Sequence, residues 1–385
     1  MILETPPGPL AILRLALKNF RCYPELRLEC DARPAILTGP NGAGKTNILE
    51  AFSFLAPGRG LRRSRMAEVA RTGAEDAGWA VAVKLRHPSR DEGGMIDIGT
   101  GCDGSSERRL VRIDGRTART QSALSETVSV LWLTPAMDRL FTEGAGARRR
   151  FLDRLVLGQD PAHAARASAY DRAMRERARL LREGRADPVW LNGLEERMAQ
   201  NGTAMALARK TAIARLNRAC QAGIGPFPAA ELAVSGATET ALDERGPDET
   251  ENALRRGLAE GRRRDADAGV TLLGPHRSDL AVRLASRNLP AGQCSTGEQK
   301  AVLVAIILGQ ARIQAEEGGM APILLLDEIA AHLDGTRRAA LFDELVALGA
   351  QSWLTGTDQD LFAPMGDRGQ FFHVEEARIQ PAPCP

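Results

Sequence analysis

A glycine-rich segment near the N-terminus, residues 39–46, constrains this chain more than any other feature. It reads Gly-Pro-Asn-Gly-Ala-Gly-Lys-Thr and lies between a short apolar run, residues 35–38, and an amphipathic run that begins at Thr46. A strand, this loop and a helix in that order are the context in which the pattern Gly-x-x-x-x-Gly-Lys-Thr binds phosphate. The glycines let backbone N–H groups face an anion at a helix N-terminus.

The two residues that end this loop have separate tasks. Lys45 offers positive charge to β- and γ-phosphates, and Thr46 offers a hydroxyl to Mg²⁺. The pattern therefore predicts that ATP or GTP binds with Mg²⁺, whereas a glycine-rich turn with a chance Lys-Thr pair is the alternative. The predicted phosphate-binding residues are Gly39, Pro40, Asn41, Gly42, Ala43, Gly44, Lys45 and Thr46.

A second element of the site is an apolar run, residues 323–326, followed directly by Asp327 and Glu328. An entirely apolar run of this length indicates a parallel strand buried on both faces. The two carboxylates then lie at the carboxyl edge of the sheet, where open α/β sheets bind ligands. We expect Asp327 to hold Mg²⁺ and Glu328 to polarise the attacking water. The alternative is that Asp327 and Glu328 are ordinary solvent-exposed residues of a turn after the strand.

The segment Ser295-Thr296-Gly297-Glu298-Gln299 precedes another apolar run, residues 301–308. Ser295 and Glu298 have the spacing of a helix capping box, which is a sufficient structural explanation. The same arrangement also presents a hydroxyl and N–H groups at a positive helix end, and these bind phosphate. Residues 39–46 already surround one side of a nucleotide. We therefore predict that the second site contacts the nucleotide of another subunit, through Ser295, Gly297 and Glu298. Such contacts would make an ATP-bridged dimer.

The chain is long enough for two or three domains. Mixed α/β patterns occupy both ends, and an Ala-, Arg- and Glu-rich stretch lies between them. We predict an α/β fold: a P-loop ATPase head with a mixed sheet, helices and an antiparallel β subdomain, interrupted by a helical arm. The predicted segments are head residues 1–155, arm residues 156–268 and head residues 269–385.

Within the arm, two helices are predicted over residues 161–182 and 189–223. At about 1.5 Å per residue they would each extend roughly 30 to 50 Å, as a projecting arm or as an ordinary packed bundle. Residues 242–252, acidic and containing Gly and Pro, indicate a mobile loop in the arm, and residues 270–273 indicate a strand at the start of the C-terminal head segment.

The composition excludes few partners. Lys and Arg number 51 against 49 Asp and Glu, so a basic surface requires local segregation of charge. Six scattered cysteines without short paired spacings indicate a reducing compartment. The longest apolar run is far below the roughly 18 residues needed to span a bilayer. We expect a cytoplasmic protein without a membrane segment or targeting peptide.

Taken together, these segments resemble the ABC-type ATPase heads of the SMC and Rad50 class, and within that class the RecF family. The similarity extends over nearly the whole chain. The matching blocks are residues 15–21, 39–51, 149–155, 273–277, 295–300, 327–334 and 355–357. Ser278 departs from the family pattern, which has an acidic residue there, and residues 133–137 contain no glutamine for the loop that senses the γ-phosphate.

The resemblance implies an ATP-dependent homodimeric clamp with slow ATP hydrolysis and roles in DNA replication, recombination, repair and the SOS response. It implies binding to double-stranded DNA and to single/double-strand junctions, and cooperation with RecR and RecO to load RecA at gaps. By motif match, Arg21 and Asn47 join the nucleotide site. Asp334 lies in the loop that crosses the dimer interface, and Thr357 stands where many ABC proteins have a switch histidine.

DNA contacts are predicted from Lys and Arg on phosphates, with little reading of bases. The candidates are Arg62, Arg63 and Arg65, together with the arginine-rich arm helices. On the arm, Arg172, Arg175, Arg177 and Arg179 alternate with Asp171 and Glu176, a pattern also typical of a solvated, ion-paired helix face.

Alternative functions are the ATPase subunit of an ABC membrane transporter, a long coiled-coil structural protein and a small-molecule P-loop kinase. Transporter heads are more compact between the phosphate loop and Asp327. The arm is short for a coiled-coil protein, and a kinase leaves residues 295–299 unexplained.

Overall fold

The structure, a computed structural model, describes residues 9–88, 94–104, 108–184 and 187–385. The chain divides into two compact units. The head unit contains the chain up to Asp138, the short segment Ala222–Ala229, and Ser295–Pro385. The arm unit contains Arg139–Gln221 and Ala230–Cys294.

The elements are numbered in chain order over the described residues. The strands are β1 Ala11–Phe20, β2 Tyr23–Glu29, β3 Ala35–Thr38, β4 Trp79–Arg86, β5 Met95–Cys102, β6 Leu110–Ile113, β7 Arg116–Thr117, β8 Val130–Leu133, β9 Ala230–Ser235, β10 Asp279–Leu284, β11 Leu289–Pro290, β12 Ile323–Leu326, β13 Ser352–Gly356, β14 Gln370–Glu375 and β15 Arg378–Ala382. The α-helices are α1 Lys45–Ser53, α2 Met66–Val69, α3 Ala145–Leu157, α4 His163–Glu183, α5 Pro188–Gln221, α6 Ala237–Glu260, α7 Arg262–Ala268, α8 Thr296–Glu317 and α9 Gly335–Ala347.

The head unit contains two sheets. One is antiparallel, in the order β2-β1-β4-β5-β6-β7. In β4, alternate residues from Trp79 to Leu85 point into the core, as the two-residue period of a strand requires. The other sheet has the order β15-β14-β3-β13-β12-β8, with β15 antiparallel to β14 and the remaining neighbours parallel.

Helix α1 packs between the two sheets and joins their cores. Its buried residues include Ile48, Leu49 and Phe52, and the Phe52 ring lies 4.5 Å, centroid to centroid, from Trp353 of β13. The predicted mixed sheet, antiparallel subdomain and nucleotide-binding helix are therefore present. Because α1 is held on both faces, the loop before it has a rigid base.

The arm unit is built on α4, α5 and α6, which share a core that includes Tyr170, Met198 and Leu258. A three-stranded antiparallel sheet, β11-β10-β9, completes this unit. Both predicted arm helices are present as α4 and α5.

The predicted segment boundaries at residues 155 and 268 differ from those of the compact units, which divide after Asp138 and Cys294. Helix α3 packs against β10, and β10 pairs with β9 along its length. These contacts join α3 and β10 to the arm unit, although their sequence composition resembles that of the head.

Three local expectations are wrong. Residues 242–252 belong to α6, which only kinks where Gly246 has a φ of 77°, because Leu242 and Thr250 are buried on either side of the kink. Residues 270–273 form no strand. Arg177 is not on a solvated face: its side chain is fully buried and donates to Glu195 at 3.0 Å and Asp265 at 2.7 Å.

Ser278, the departure from the family pattern, is also explained by packing in the arm unit. Its hydroxyl is buried and lies 2.7 Å from both carboxylate oxygens of Glu239, itself 1% exposed. The serine thus donates to an acidic side chain supplied by α6.

None of the helices in the described part of the chain combines the length and the apolar composition that a membrane span requires.

Candidate nucleotide site

The phosphate loop connects β3 to α1 at the carboxyl edge of the parallel sheet. Its three glycines have positive φ angles of 143° at Gly39, 81° at Gly42 and 115° at Gly44. A side chain at Gly39 would place its Cβ 2.0 Å from the carbonyl oxygen of Val374 in β14. The neighbouring strand therefore requires glycine at Gly39, and the loop can curve around an anion.

Lys45 begins α1, and its side chain lies within the loop. Its Nζ donates to the carbonyl oxygens of Gly39 at 2.7 Å and Pro40 at 2.8 Å. Burial lowers the pKa of Lys45, while the nearby carboxylates of Glu328 and Asp327 oppose that shift. The ammonium is thus held at the mouth of the loop, where a phosphate would replace carbonyl partners.

Asp327 is the centre of a hydrogen-bonded cluster that joins the ends of β12 and β13 to the start of α1. Thr46 Oγ1 lies 3.0 Å from Asp327 Oδ1, and Thr355 Oγ1 of β13 donates to the same oxygen at 2.7 Å. Thr355 Oγ1 also accepts the backbone N–H of Glu328 at 2.9 Å. The structure therefore brings Thr46, Asp327 and Glu328 together at one edge of the sheet, and their roles toward Mg²⁺ and water stay predictions.

Glu328 has a backbone conformation that is unusual for a residue with a side chain. Its φ of 53° and ψ of 22° lie in the left-handed region, which costs of order 1–3 kcal/mol and is found mostly at functional sites. The hydrogen bond to Thr355 holds the backbone in this form. The carboxylate is partly exposed beside Asp327 and Lys45, within reach of solvent.

Ser295 caps α8 as the capping-box pattern predicts. Its N–H donates to Glu298 Oε2 at 2.9 Å, and its Oγ accepts from the Glu298 N–H at 3.4 Å. Ser295 and Gly297 are exposed, and a Cβ at Gly297 would meet nothing within 4 Å. The N-terminus of α8 is therefore an open surface.

An ion pair sets the position of that helix end. Lys300, in the first turns of α8, is 4% exposed, and its Nζ lies 3.1 Å from Asp138 Oδ2. Asp138 is in a 3₁₀ turn, Pro135–Arg139, that follows β8. The start of α8 therefore lies near the carboxyl end of β8, on the edge of the sheet that also carries the phosphate loop.

Arg21 is engaged with the body of the head unit. Four of its five N–H groups have protein acceptors: both carboxylate oxygens of Glu50, at 2.8 and 2.5 Å, Ser64 Oγ at 2.5 Å, and the carbonyl oxygen of Glu68. Glu50 lies on α1 and is fully buried. Arg21 thereby anchors the helix that begins at the phosphate loop, and its phosphate contact stays a prediction.

Asn47 and Arg62 form a pair beside this anchor. Asn47 Nδ2 donates to Cys22 Sγ at 3.1 Å, and its Oδ1 accepts from Arg62 Nη1 at 2.8 Å. Arg62 also contacts Glu50 at 3.2 Å. Arg62 belongs to the exposed segment that is predicted to touch DNA, and its side chain contacts Asn47 and Glu50 of α1, next to the nucleotide site.

The remaining predicted residues lie on the surface of the head unit. Arg63 and Arg65 are exposed, and Thr357 is exposed directly after β13. Asp334 caps α9 by accepting the N–H of Arg337 at 2.9 Å. None of these positions is tested by the geometry of the site, and their roles stay predictions.

Three residues that complete the site were not assigned a role from sequence. Thr355 bridges Asp327 and Glu328, Glu50 holds Arg21, and the buried Tyr23 lies beneath the loop at Gly44. Thr355 lies in one of the matching family blocks, residues 355–357, but that match assigned it no contact. Glu50 and Tyr23 carry no local signal, because their partners are distant in sequence.

A phosphate loop leading into a helix packed between two sheets, with a strand-end carboxylate pair, is the arrangement of a P-loop ATPase head. A family model described as the RecF/RecN/SMC N terminal domain matches residues 11–379. The DNA replication and repair protein RecF of Agrobacterium fabrum is 50% identical over 374 residues, 96% of this chain and 98% of the relative. RecF of Rhizobium rhizogenes is 51% identical over 380 residues, 97% and 99% of the two chains. This chain belongs to the RecF family.

Solved structures agree on the fold. Two structures of the recombination mediator protein RecF, described as RecF-ATPrS and RecF-ATP in the RecFOR pathway, have TM-scores of 0.81 and 0.82. They are 20% and 21% identical, and each comparison covers 97% of this chain and 99% of the other. An Smc head domain derived from Pyrococcus furiosus has a TM-score of 0.55 at 16% identity, covering 97% and 96%. These relatives give no support to the transporter alternative.

Proposed function

We propose that this protein is an ATP-dependent DNA-binding clamp of recombinational repair, which dimerises when ATP binds and hydrolyses ATP slowly as a switch. One observation carries the proposal: the head unit has two helix N-termini on the same edge of one sheet, and a helix N-terminus is suited to binding an anion. The first is the phosphate loop at α1, and the second is the exposed, capped start of α8 at Ser295.

The distance between these two helix ends favours a dimer. In the order β3-β13-β12-β8, the strand that precedes the loop and the strand beside the start of α8 are three positions apart. At about 4.8 Å per strand, that separation is roughly 14 Å along the sheet. Ser295 therefore suits the nucleotide of a second copy better than that of its own loop. A two-fold dimer of this kind holds two nucleotides, each between a loop and the partner's α8.

The side chains present fit a magnesium nucleotide. Thr46 Oγ1 and the Asp327 carboxylate are 3.0 Å apart, and both are hard oxygen ligands. Mg²⁺ keeps several waters and binds through few protein groups, so these two residues suffice with phosphate oxygens. When bound, Mg²⁺ would neutralise charge on the β- and γ-phosphates.

The protein groups then have distinct roles in hydrolysis. Lys45 exchanges its carbonyl partners for phosphate oxygens, and Thr355 keeps Asp327 and the Glu328 backbone in place. Glu328 orients the attacking water and accepts its proton at a carboxylate oxygen. Arg21 and Asn47 fix the base of α1, and Thr357, directly after β13, contacts the nucleotide of its own subunit. Gly297 and Glu298 complete the nucleotide contacts across the interface.

The DNA role rests on family membership. The relatives are described as DNA replication and repair proteins, and their description is extended here to this chain. We propose binding to double-stranded DNA and strand junctions, with Arg62, Arg63 and Arg65 on phosphates. RecR and RecO are the proposed partners, with RecA loaded at gaps as the outcome, and the cytoplasm is the proposed location.

Dimerisation is tested with the substitution Ser295→Arg in a Glu328→Gln background, which should bind ATP and accumulate the dimer. Multi-angle light scattering with ATP should give a dimer for Glu328→Gln alone and a monomer for the double variant. Ser295→Ala is the matched control, because it removes the cap, worth about 1 kcal/mol, without filling the interface. A dimer from the Ser295→Arg variant would refute the cross-subunit site.

DNA binding is tested by titration of a gapped duplex with and without ATP over a salt series. Phosphate contacts made by the closed dimer should give a steep fall of affinity with salt, and only when ATP is present. Equal slopes with and without ATP would refute the switch while leaving nucleotide binding intact.

A further inference from the structure

A groove between α4 and α5 of the arm unit lies outside the nucleotide site. It has a volume of about 1100 Å³ and runs along the first part of α5. The arginine-rich pattern on α4 lines one side of it, and the nucleotide switch makes no use of it.

One wall of the groove is a basic stripe on α4. Arg172, Arg175, Arg179 and Arg182 line the groove, all are exposed, and their spacing of three, four and three residues places them on one helix face. Arg197 of α5 adds a fifth guanidinium from the opposite wall.

The carboxylates near the stripe neutralise only part of it. Arg179 pairs with Glu176 at 2.7 Å and Glu183 at 2.9 Å. Among the described residues, no ion pair within 4.0 Å involves Arg175, Arg182 or Arg197. With Asp171, which interacts electrostatically with Arg175, three carboxylates act on the stripe (Asp171, Glu176 and Glu183), so the five arginines of the groove still leave it positively charged.

The floor and one end of the groove are apolar. Ala173 and Gly193 are small, so another backbone can approach closely, and Leu194 lies beside them. At the end of the groove, Val189 is 75% exposed and Trp190 is 60% exposed. Large exposed apolar side chains beside a groove are typical of an interaction surface.

We propose that this groove binds an acidic amphipathic helix of a partner protein. Carboxylates at every third and fourth position of such a helix repeat at the same interval as the arginines of α4, so the two stripes can pair along their length. Its apolar residues would cover the exposed Val189 side chain and the Trp190 ring, and the small floor residues admit its backbone. The bound helix would pack against both α4 and α5 as a third helix.

Nucleic acid fits the groove less well. A single strand binds through a basic track and a series of rings on which successive bases stack. Among the described lining residues, Trp190 is the only aromatic side chain. The apolar floor would face sugars and phosphates and would have no apolar group to cover it.

The test uses a designed helical peptide with glutamates on one face at alternating intervals of three and four residues and leucines beside them. A scrambled peptide of the same composition and a single-stranded oligonucleotide of equal charge are the comparisons. Trp190 serves as the reporter, since Trp79, Trp132 and Trp353 are all at most 8% exposed. The patterned peptide should give saturable binding and a blue shift of fluorescence, and the scrambled peptide should bind at least about tenfold more weakly.

A triple charge reversal identifies the site. Arg175→Glu, Arg182→Glu and Arg197→Glu together should weaken peptide binding by at least about tenfold, as expected for three ion pairs. The control reverses Arg218, Arg255 and Arg256, three exposed arm-unit arginines outside the groove, and makes the same change of net charge. Circular dichroism checks that both variants are folded.

Three outcomes would overturn the proposal. The first is equal weakening by the groove variant and the control variant, which would indicate nonspecific charge. The second is that the patterned and scrambled peptides bind equally well, or that neither peptide binds. The third is tight binding of the oligonucleotide that only the groove variant loses, which would assign the groove to nucleic acid instead.

Discussion

Gly44→Ala is the substitution that tests most directly how the phosphate loop is held. Gly44 has a φ of 115°, and a Cβ there would lie 2.5 Å from the hydroxyl oxygen of Tyr23 and 2.9 Å from Cys22 Sγ. Tyr23 is fully buried, so its ring cannot swing into solvent. The alanine therefore meets both an unfavourable backbone conformation and a filled space.

The two costs can be separated because Gly42 provides a matched site. Gly42 has a φ of 81°, but a Cβ there would meet nothing within 4 Å. Gly42→Ala should cost only the left-handed backbone term, about 1–2 kcal/mol of unfolding free energy. Gly44→Ala should cost about 2–5 kcal/mol, because overpacking adds about 1–3 kcal/mol.

A second substitution identifies the clashing atom. Tyr23→Phe removes a buried hydroxyl that has no hydrogen-bond partner within the described structure, so alone it should be nearly neutral. Combined with Gly44→Ala it should recover about 1 kcal/mol or more, because the 2.5 Å contact disappears.

The assay is guanidinium unfolding of the whole chain in a Trp190→Phe background, with and without ATP. The remaining tryptophans, Trp79, Trp132 and Trp353, all lie in the head unit, so fluorescence reports on that unit alone. Equal losses for Gly42→Ala and Gly44→Ala, or no recovery with Tyr23→Phe, would refute the packing argument. Both alanine variants should also bind ATP more weakly, since the loop must curve around the phosphates.

The other predictions concern the site and the arm unit. Lys45→Met should abolish binding of a fluorescent ATP analogue with little loss of stability, because the side chain is already buried; unchanged affinity would contradict the role of the loop. Glu328→Gln should bind ATP with wild-type affinity but release phosphate at least about a hundredfold more slowly, and normal turnover would remove Glu328 from catalysis. Burial alone would raise the pKa of Asp153, but His163 and Arg209 outweigh it and lower the pKa to about 2. The Asp153 carboxylate therefore stabilises the arm unit above pH 4, and about 2 kcal/mol should be lost as pH falls from about 4 to 2. Asp153→Asn should flatten that part of an acid titration followed by circular dichroism, and an unchanged titration would contradict the assignment.

Short-range patterns predicted much of the head unit correctly. Strands β3 and β12 have the predicted bounds, the phosphate loop lies between β3 and α1, and Ser295 caps α8 with Glu298. Each of these features depends on neighbouring residues: an apolar run, a glycine-rich turn or a capping pair. The order of the matching blocks gave the resemblance to the RecF family, and the comparisons confirm that the chain belongs to this family.

Errors arose where distant packing overrides local composition. The acidic stretch that contains Gly246 and Pro247 was predicted as a loop, yet it is helical because Leu242 and Thr250 are buried on either side of the kink. Arg177 was placed on a solvated face, yet it is buried because Glu195 and Asp265 balance its charge. Neither acidic partner is near Arg177 in sequence, so no helical periodicity could identify them.

The predicted chemistry of the nucleotide site follows from local sequence, because Lys45, Thr46, Asp327 and Glu328 are recognisable from their immediate neighbours. The way these groups are held depends instead on the packing of segments that are distant in the chain. Strand order brings Thr355 next to Asp327, and helix packing brings Arg21 next to Glu50, so that each pair forms hydrogen bonds. Such contacts depend on the arrangement of the whole sheet, and no local pattern of residues encodes them.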